Sequence, residues 1–495
     1  MLERVRFAPS PTGPLHIGGL RTALFNFLYT KNKKGVFILR LEDTDRSRFV
    51  KNSDTYIEEA LAWAGICVDE GPSEGGKYGP YRQSERLNIY NEKIKILIDS
   101  RKAYYAFDSN EKLNDLRKKE EKKGLVFKYD SSVRNSLDNS LSMDVDIVKE
   151  RIKRESYVVR LKIDAGVTTV EDLLRGRVSV DNGVLDDKIL VKADGFPTYH
   201  FANVVDDYLM KITTVIRGEE WLPSLAIHSL IYDSFDWEIP KFIHLPLILK
   251  PAGKGKLSKR DGAIGGFPVF PLSWEKEIGF KEMGFLNSGV INYLALLGWS
   301  PGNEEEIFSL RNLVKLFCVK GVHKGGAKFD FKKAKWINQQ HMSKLEFSEF
   351  EALFPKEVVR LKKQYPSKTE EIFLLVRERL KLSGDFEKEI KFLLEDPKNY
   401  DQKTLNKQSK HSPINLLEEI EVIIDKKGLK GLKENLSDLT KNKQINFGSI
   451  MQIFRIALIG ELTGPDIISA STILKKSLTL KRISKLKNHL KNNLT

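Results

Sequence analysis

The first 41 residues run through an extended stretch, a proline-rich break, a helical stretch and a second extended stretch, and this order restricts the fold more than any other feature of the chain. Residues 4–8 (Arg-Val-Arg-Phe-Ala) read as a short strand, after which Pro9, Pro11, Gly13 and Pro14 force a turn. Residues 19–29 place Leu20, Ala23, Leu24, Phe27 and Leu28 at helical spacing, and residues 36–41 form a second apolar strand. Strand, turn, helix, strand is a βαβ unit. It implies a parallel sheet covered by helices, with ligands at the carboxyl ends of its strands.

At 495 residues the chain has length for about three domains of ~150 residues. Hydrophobic residues make up 41% and charged residues 30%, too rich in core formers for a disordered chain. Lys and Arg total 82 against 67 Asp and Glu, a net charge of +15; residues 331–495 carry 32 basic and 21 acidic residues, so +11 of the excess lies in the last third. A polyanion such as nucleic acid is the partner this suggests, a Lys-rich solvated surface being the plainer account. With only Cys67 and Cys318, neither a disulfide framework nor a Cys-based zinc site can be closed, which fits a reducing, cytoplasmic compartment. No apolar h-region follows Met1 and no run of about 18 apolar residues occurs, so no export signal and no membrane contact are expected.

Along the chain, residues 1–80 read as the first half of the sheet domain and residues 81–187 as an inserted module, with a charged stretch at 118–123 and a Ser/Asn/Asp-rich stretch at 130–146. The sheet is expected to resume with Ile189-Leu190-Val191 and residues 213–217, giving a second half at 188–240, followed by a region at 241–328 that carries a basic loop. Residues 329–495 show helical spacing throughout, with a polar connector at 403–413 that suggests two subdomains.

Four constellations carry chemistry. Ala8-Pro9-Ser10-Pro11-Thr12-Gly13-Pro14-Leu15-His16-Ile17-Gly18-Gly19 joins a strand to a helix N-terminus, where glycines and free N–H groups suit a phosphate and His16 could bond its oxygen. Gly253-Lys254-Gly255-Lys256-Leu257-Ser258-Lys259-Arg260 is a basic loop suited to charge building on a nucleotide's phosphates. Leu41-Glu42-Asp43-Thr44-Asp45 places carboxylates at a strand end, for an ammonium, a metal or helix capping. Residues 195–207, with Tyr199, His200, Asn203, Asp206 and Asp207, precede Arg217, a residue suited to a bidentate grip on a carboxylate.

These motifs together resemble the bacterial type of glutamyl-tRNA synthetase among the class I aminoacyl-tRNA synthetases. The resemblance runs along nearly the whole chain and takes in Tyr78-Gly79-Pro80-Tyr81-Arg82-Gln83-Ser84, Asp172-Leu173-Leu174-Arg175-Gly176, Lys256-Leu257-Ser258-Lys259-Arg260, Leu294-Ala295-Leu296-Leu297-Gly298-Trp299 and Arg455-Ile456-Ala457-Leu458 with Gly464-Pro465. It implies a multidomain α/β plus all-α protein: a Rossmann catalytic domain split by an acceptor-stem-binding insertion, a stem-contact region, and a helical anticodon-binding region. The implied reaction activates glutamate with ATP and Mg²⁺ and transfers it to the 3′-terminal adenosine of tRNA-Glu. Whether tRNA-Gln is also charged stays open.

By position the resemblance assigns the catalytic and ATP-binding roles to His16, Gly18, Gly19, Lys256, Ser258 and Lys259. It assigns glutamate binding to Arg6, Ala8, Ser10, Glu42, Tyr199, Asn203 and Arg217, and implies a monomer. Where some relatives place Cys and His for zinc, this chain has Ala103-Tyr104-Tyr105-Ala106-Phe107, so no structural zinc is expected. Asp261 stands where a His often follows the basic signature, and residues 265–279 are longer and more aromatic than usual, which suggests a surface elaboration. Two alternatives are a paralogue that glutamylates a modified tRNA base, a family without the helical third, and a non-catalytic tRNA-binding protein on the same fold.

Overall fold

The computed structural model describes residues 2–492. Its first strand, β1 (Arg4–Phe7), is buried at every position, as expected of a parallel strand covered on both faces. It runs parallel to β2 (Val36–Leu39) in the register Arg4 to Val36 through Phe7 to Leu39, with the helix Ile17–Asn32 as the crossover. That helix is apolar nearly all round, burying Leu20, Leu24, Phe25, Phe27 and Leu28. The expected βαβ unit is therefore present, its helix longer at both ends than the spacing alone suggests.

The remaining strands are β3 (Ala103–Ala106), β4 (Val158–Leu161), β5 (Val167–Asp172), β6 (Gly176–Asp181), β7 (Ile189–Val191), β8 (Thr214–Gly218) and β9 (Lys241–Leu245), then the short pair β10 (Ile248–Leu249) and β11 (Ala327–Lys328). The main sheet has the order β2-β1-β8-β9-β5-β6, parallel except for the β5–β6 hairpin. From β1 the chain goes to one side for β2 and to the other, much later, for β8. This is the switch point at which an open α/β sheet leaves a crevice beyond its strand ends.

Two strands lie elsewhere than expected. Ile189–Val191 does not rejoin the main sheet but pairs with β4 in a separate antiparallel sheet of order β3-β4-β7. The hairpin β5–β6, from within residues 81–187, instead extends the main sheet through Asp172 opposite Phe242. Strand text carries no label for the sheet it joins, and both pairings are distant in sequence. The inner sheet packs on its own small core of Tyr104, Ala106, Leu113, Tyr129 and Leu137.

The chain divides into two units, the first holding residues to Glu282 with Val290–Phe331, the second Met283–Gly289 and the residues described from Lys332 onward. The second unit is helical, and one apolar cluster extends from Met342 to Leu486. The polar stretch 403–413 does not interrupt that cluster. It holds most of the short helix Gln402–Lys407, whose Leu405 is buried in the same core, capped by the Asp401 side chain. The helix Phe447–Ile459 ends at Gly460, where φ is +90° and a Cβ would come 2.5 Å from the Asn399 carbonyl, so only glycine serves. The final helix Ile467–Asn492 is broken at Lys475, whose φ is +68°.

Candidate active site

The first helix begins with His16 as its N-cap, a position more often given to Ser, Asp or Asn. Its Nδ1 accepts the Gly18 N–H at 3.1 Å, so in the neutral ring the hydrogen sits on Nε2. Nε2 is buried without a hydrogen-bond partner among the described residues. Burial first, then the nearby charges of Lys256 and Lys259, push the imidazole down to about 4. His16 is therefore a neutral ring with one unsatisfied donor at the positive end of a helix, an arrangement suited to an anionic oxygen. At Gly19 a Cβ would lie 2.5 Å from Leu15 Cδ1 and displace that side chain, whereas at Gly18 it would meet only His16 Nδ1 at an ordinary 3.5 Å.

The basic signature is anchored by Leu257, which is buried and whose N–H donates to the Ile248 carbonyl at 2.9 Å. Ser258 caps the short helix Lys259–Gly265 with Asp261 in a capping box, the Ser258 N–H and Oγ both donating to Asp261 Oδ2 at 2.9 and 2.6 Å. Asp261 thus has a structural role that its departure from the usual residue concealed. Lys256 Nζ lies 2.8 Å from Glu220 Oε1, both side chains well exposed.

The aromatic segment 265–279 is not a surface elaboration. Phe267, Val269, Phe270 and Leu272 are buried, the Val269 carbonyl accepts the Ile17 N–H at 2.9 Å, and Trp274 packs edge-on against Tyr56 at 5.2 Å. Phe270 lies between the two signatures, its ring 6.0 Å from that of His16 and 5.1 Å from Lys259 Nζ. Clustered aromatics after the basic loop were the visible signal; which helix they cover was not.

A second cluster sits at the carboxyl ends of β1, β2 and β8. Arg6 grips Asp207 with two bonds, Nε to Oδ1 at 2.9 Å and Nη2 to Oδ2 at 3.2 Å. Arg40 bridges Asp207 Oδ1 at 2.7 Å and Glu42 Oε1 at 3.0 Å, and Asn203 Nδ2 donates to the same Glu42 oxygen at 2.8 Å. Burial works to raise the Asp207 carboxyl, but Arg6 and Arg40 outweigh it and hold it below the usual range. For Glu42 burial prevails over Arg40 and Arg6, and the carboxyl is pushed up. Ala8 and Ser10 lie on the turn after β1, half-buried and exposed, and the Pro9 carbonyl ties that turn to the Glu42 N–H at 3.0 Å.

Arg217, at the end of β8, is 5% exposed. Its Nε donates to His244 Nε2 at 3.0 Å, Nη1 to Tyr199 Oη at 3.2 Å and to His228 Nδ1 at 3.3 Å, and Nη2 to the Trp221 carbonyl at 3.3 Å. Among the described residues no carboxylate lies within ion-pair distance of it. The Tyr199 ring packs over Trp221 at 4.4 Å. Sequence reading gave Arg40, Asp207 and Phe270 no role and missed His244. Arg40 and His244 lie at the ends of apolar strand text, and Asp207 reads as the polar face of a helix.

Residues 3–336 match the catalytic domain of class I tRNA synthetases (E and Q), and residues 348–487 an anticodon-binding domain. A glutamate–tRNA ligase of Christiangramia forsetii is 48% identical and one of Phocaeicola vulgatus 46%, each match covering 99% of both chains. A crystal structure of a glutamate tRNA ligase from Elizabethkingia meningosepticum in complex with its amino acid superposes with a TM-score of 0.90 at 43% identity, over 99% of both chains. That of glutamate-tRNA synthetase from Elizabethkingia anophelis gives 0.87, also at 43% identity, over 99% of this chain and 100% of the other. With a catalytic-domain match over more than half its length and relatives near half identical from end to end, the chain belongs to the glutamate–tRNA ligases, class I aminoacyl-tRNA synthetases.

Proposed function

We propose that this glutamate–tRNA ligase seats glutamate between the Arg6–Glu42 cluster and Arg217, and the ATP phosphates between His16 and the Lys256–Lys259 helix start. The full-length match, anticodon-binding domain included, favours this activity over glutamylation of a modified base and over a non-catalytic role. The observation that carries the substrate reading is Arg217. A buried guanidinium with neutral partners and no counterion is costly unless a ligand supplies the anion. The side-chain carboxylate of glutamate would pair with it, and glutamine would leave the charge unpaired. Glu42, both of whose hydrogen bonds reach Oε1, offers Oε2 to the α-ammonium. Ala8 and Ser10 line the turn at that end, while Tyr199 and Asn203 help to shape the pocket.

In the first step the glutamate α-carboxylate attacks the α-phosphorus of Mg–ATP, forming an acyl–phosphate bond as pyrophosphate leaves. His16 Nε2–H holds a phosphate oxygen; Gly18 and Gly19 keep the helix start open to it. Lys256 and Lys259, the latter on the helix capped by Ser258, neutralise the departing pyrophosphate. The 2′-OH of the terminal tRNA adenosine then attacks the activated carbonyl carbon and releases AMP. No protein nucleophile takes part. Magnesium arrives with the triphosphate as part of the substrate.

The test is charging of purified tRNA-Glu and tRNA-Gln separately with glutamate and ATP, with glutamine as the control amino acid. Glutamate on tRNA-Glu and rejection of glutamine are expected, and acceptance of glutamine would overturn the Arg217 reading. Glutamate on tRNA-Gln as well would make the enzyme non-discriminating. The same reading takes the protein as a cytoplasmic monomer without structural zinc. Light scattering and elemental analysis check the last two.

A further inference from the structure

Arg217 is held by an acceptor that is itself held. Because a guanidinium only donates, its bond from Nε makes His244 Nε2 the lone-pair nitrogen, and the hydrogen of the neutral ring must sit on Nδ1. Nδ1 lies 2.7 Å from Asp172 Oδ2, which also accepts the His244 backbone N–H at 3.0 Å. Asp172 is fixed in turn, since its Oδ1 accepts the Leu174 and Arg175 N–H groups of the β5–β6 turn at 2.9 and 2.7 Å. His244 is fully buried and Asp172 1% exposed. Burial lowers the imidazole, so it stays uncharged beside Arg217.

We propose that Asp172 and His244 are positioning residues for glutamate recognition: the Asp172 carboxylate fixes the His244 tautomer, and the Nε2 lone pair aims Arg217 without neutralising it. The proposal rests on the reading of Arg217 as the carboxylate-binding residue. A carboxylate placed directly on Arg217 would orient it equally well but would compete with the ligand. Setting the anion one imidazole away separates orientation from neutralisation. His228 serves the second side in the same neutral way, accepting from Arg217 through Nδ1 and passing its own hydrogen to His200 Nδ1 at 3.1 Å.

The experiment compares four variants of the full-length enzyme in tRNA-Glu charging, with KM for glutamate and for ATP measured separately. Asp172→Asn keeps the turn's acceptor but presents an amide N–H to Nδ1, which drives the ring hydrogen to Nε2, against Arg217, and takes the acceptor from the His244 backbone N–H as well. Glutamate KM is expected to rise on the order of tenfold to a hundredfold, with ATP KM unchanged. His244→Phe should do the same, whereas His244→Gln, which restores an oxygen acceptor, should recover most of the loss. Nitrogen NMR should find a lone-pair Nε2 in the wild type and the reversed tautomer in Asp172→Asn. The proposal is overturned if Asp172→Asn and His244→Phe leave glutamate KM unchanged, if ATP KM rises in parallel, or if His244→Gln is no better than His244→Phe. Arg217→Ala is the control. If it leaves glutamate KM unchanged, the reading of Arg217 itself fails.

Discussion

Arg482 of the helical unit and Arg217, one of several buried arginines of the first unit, are held in opposite ways. In the helical unit Arg482 is the buried charged side chain among the described residues, and it has a counterion: Nη1 donates to the Leu458 carbonyl at 2.6 Å, Nη2 to the Glu395 carbonyl at 2.9 Å and Nε to Asp396 at 3.1 Å. Lys485 first, then Arg482, hold the Asp396 carboxyl down at about 2. In the first unit Arg217 is as deeply placed but has neutral partners only. A buried charge that the protein completes by itself is a brace; one left incomplete marks where a ligand enters. Around Arg217 the interior is rich in charge, with Arg6, Arg40, Glu42, Asp206 and Asp207 buried together, while the helical unit is built on hydrocarbon and carries its positive excess outside.

The contrast breaks if the two arginines respond alike to truncation. Arg217→Ala should lower kcat/KM for glutamate by two to three orders of magnitude, about 3–4 kcal/mol, through KM, and leave thermal stability unchanged or raised. Arg482→Ala should cost about 3 kcal/mol of stability, since it strands two carbonyls and leaves a cavity, Asp396 keeping Lys485 as its partner, with glutamate KM unaltered. Calorimetry and steady-state charging on both variants decide it. A stability loss in Arg217→Ala to match that of Arg482→Ala would make both of them braces. At the phosphate end, Lys259→Ala should slow adenylate formation about a hundredfold (~2.7 kcal/mol) in single-turnover assays without raising glutamate KM. A rise in glutamate KM instead would merge two sites that the geometry keeps apart.

What the sequence made legible follows the range of the interactions. The β1–helix–β2 unit was readable because strand, breaker and helix are consecutive and each declares itself locally. The allegiance of Ile189–Val191 and of the β5–β6 hairpin was not, because pairing partners lie far away in sequence and short apolar runs look alike. The same divide runs through the site. His16 and Lys259 stand in dense motifs, whereas His244 and Arg40 close apolar strands and gain meaning only when β9 meets β8 and the β5–β6 turn, and when the end of β2 meets the helix Tyr199–Leu209. Asp172 belonged to a recognised motif, but its role depends on a histidine 72 positions away.

The smallest expected effect separates the two interiors by pH. His16 and His200 are pushed down to about 4, burial being the main cause in both, and His228 and His244 are lowered by burial as well. Each takes up a proton in the unfolded chain, near pH 6.5, that it refuses in the folded one. Folded-state stability is therefore whole above that range and falls as pH drops from about 6.5 toward 4. At about pH 6 the loss is of order 0.8 kcal/mol for each of His16 and His200 relative to pH 7.5. Glu42 and Asp187, raised by burial, offset part of this; Asp172 and Asp207, held low, stay ionised in both states there and contribute nothing. In the helical unit burial pushes His341 down to about 4. Calorimetry at about pH 7.5 and 6 should thus find the melting of the first unit moved down further than that of the second. Equal displacement would mean that the first unit's histidines are already charged in the folded protein, and His244, protonated, could no longer accept from Arg217.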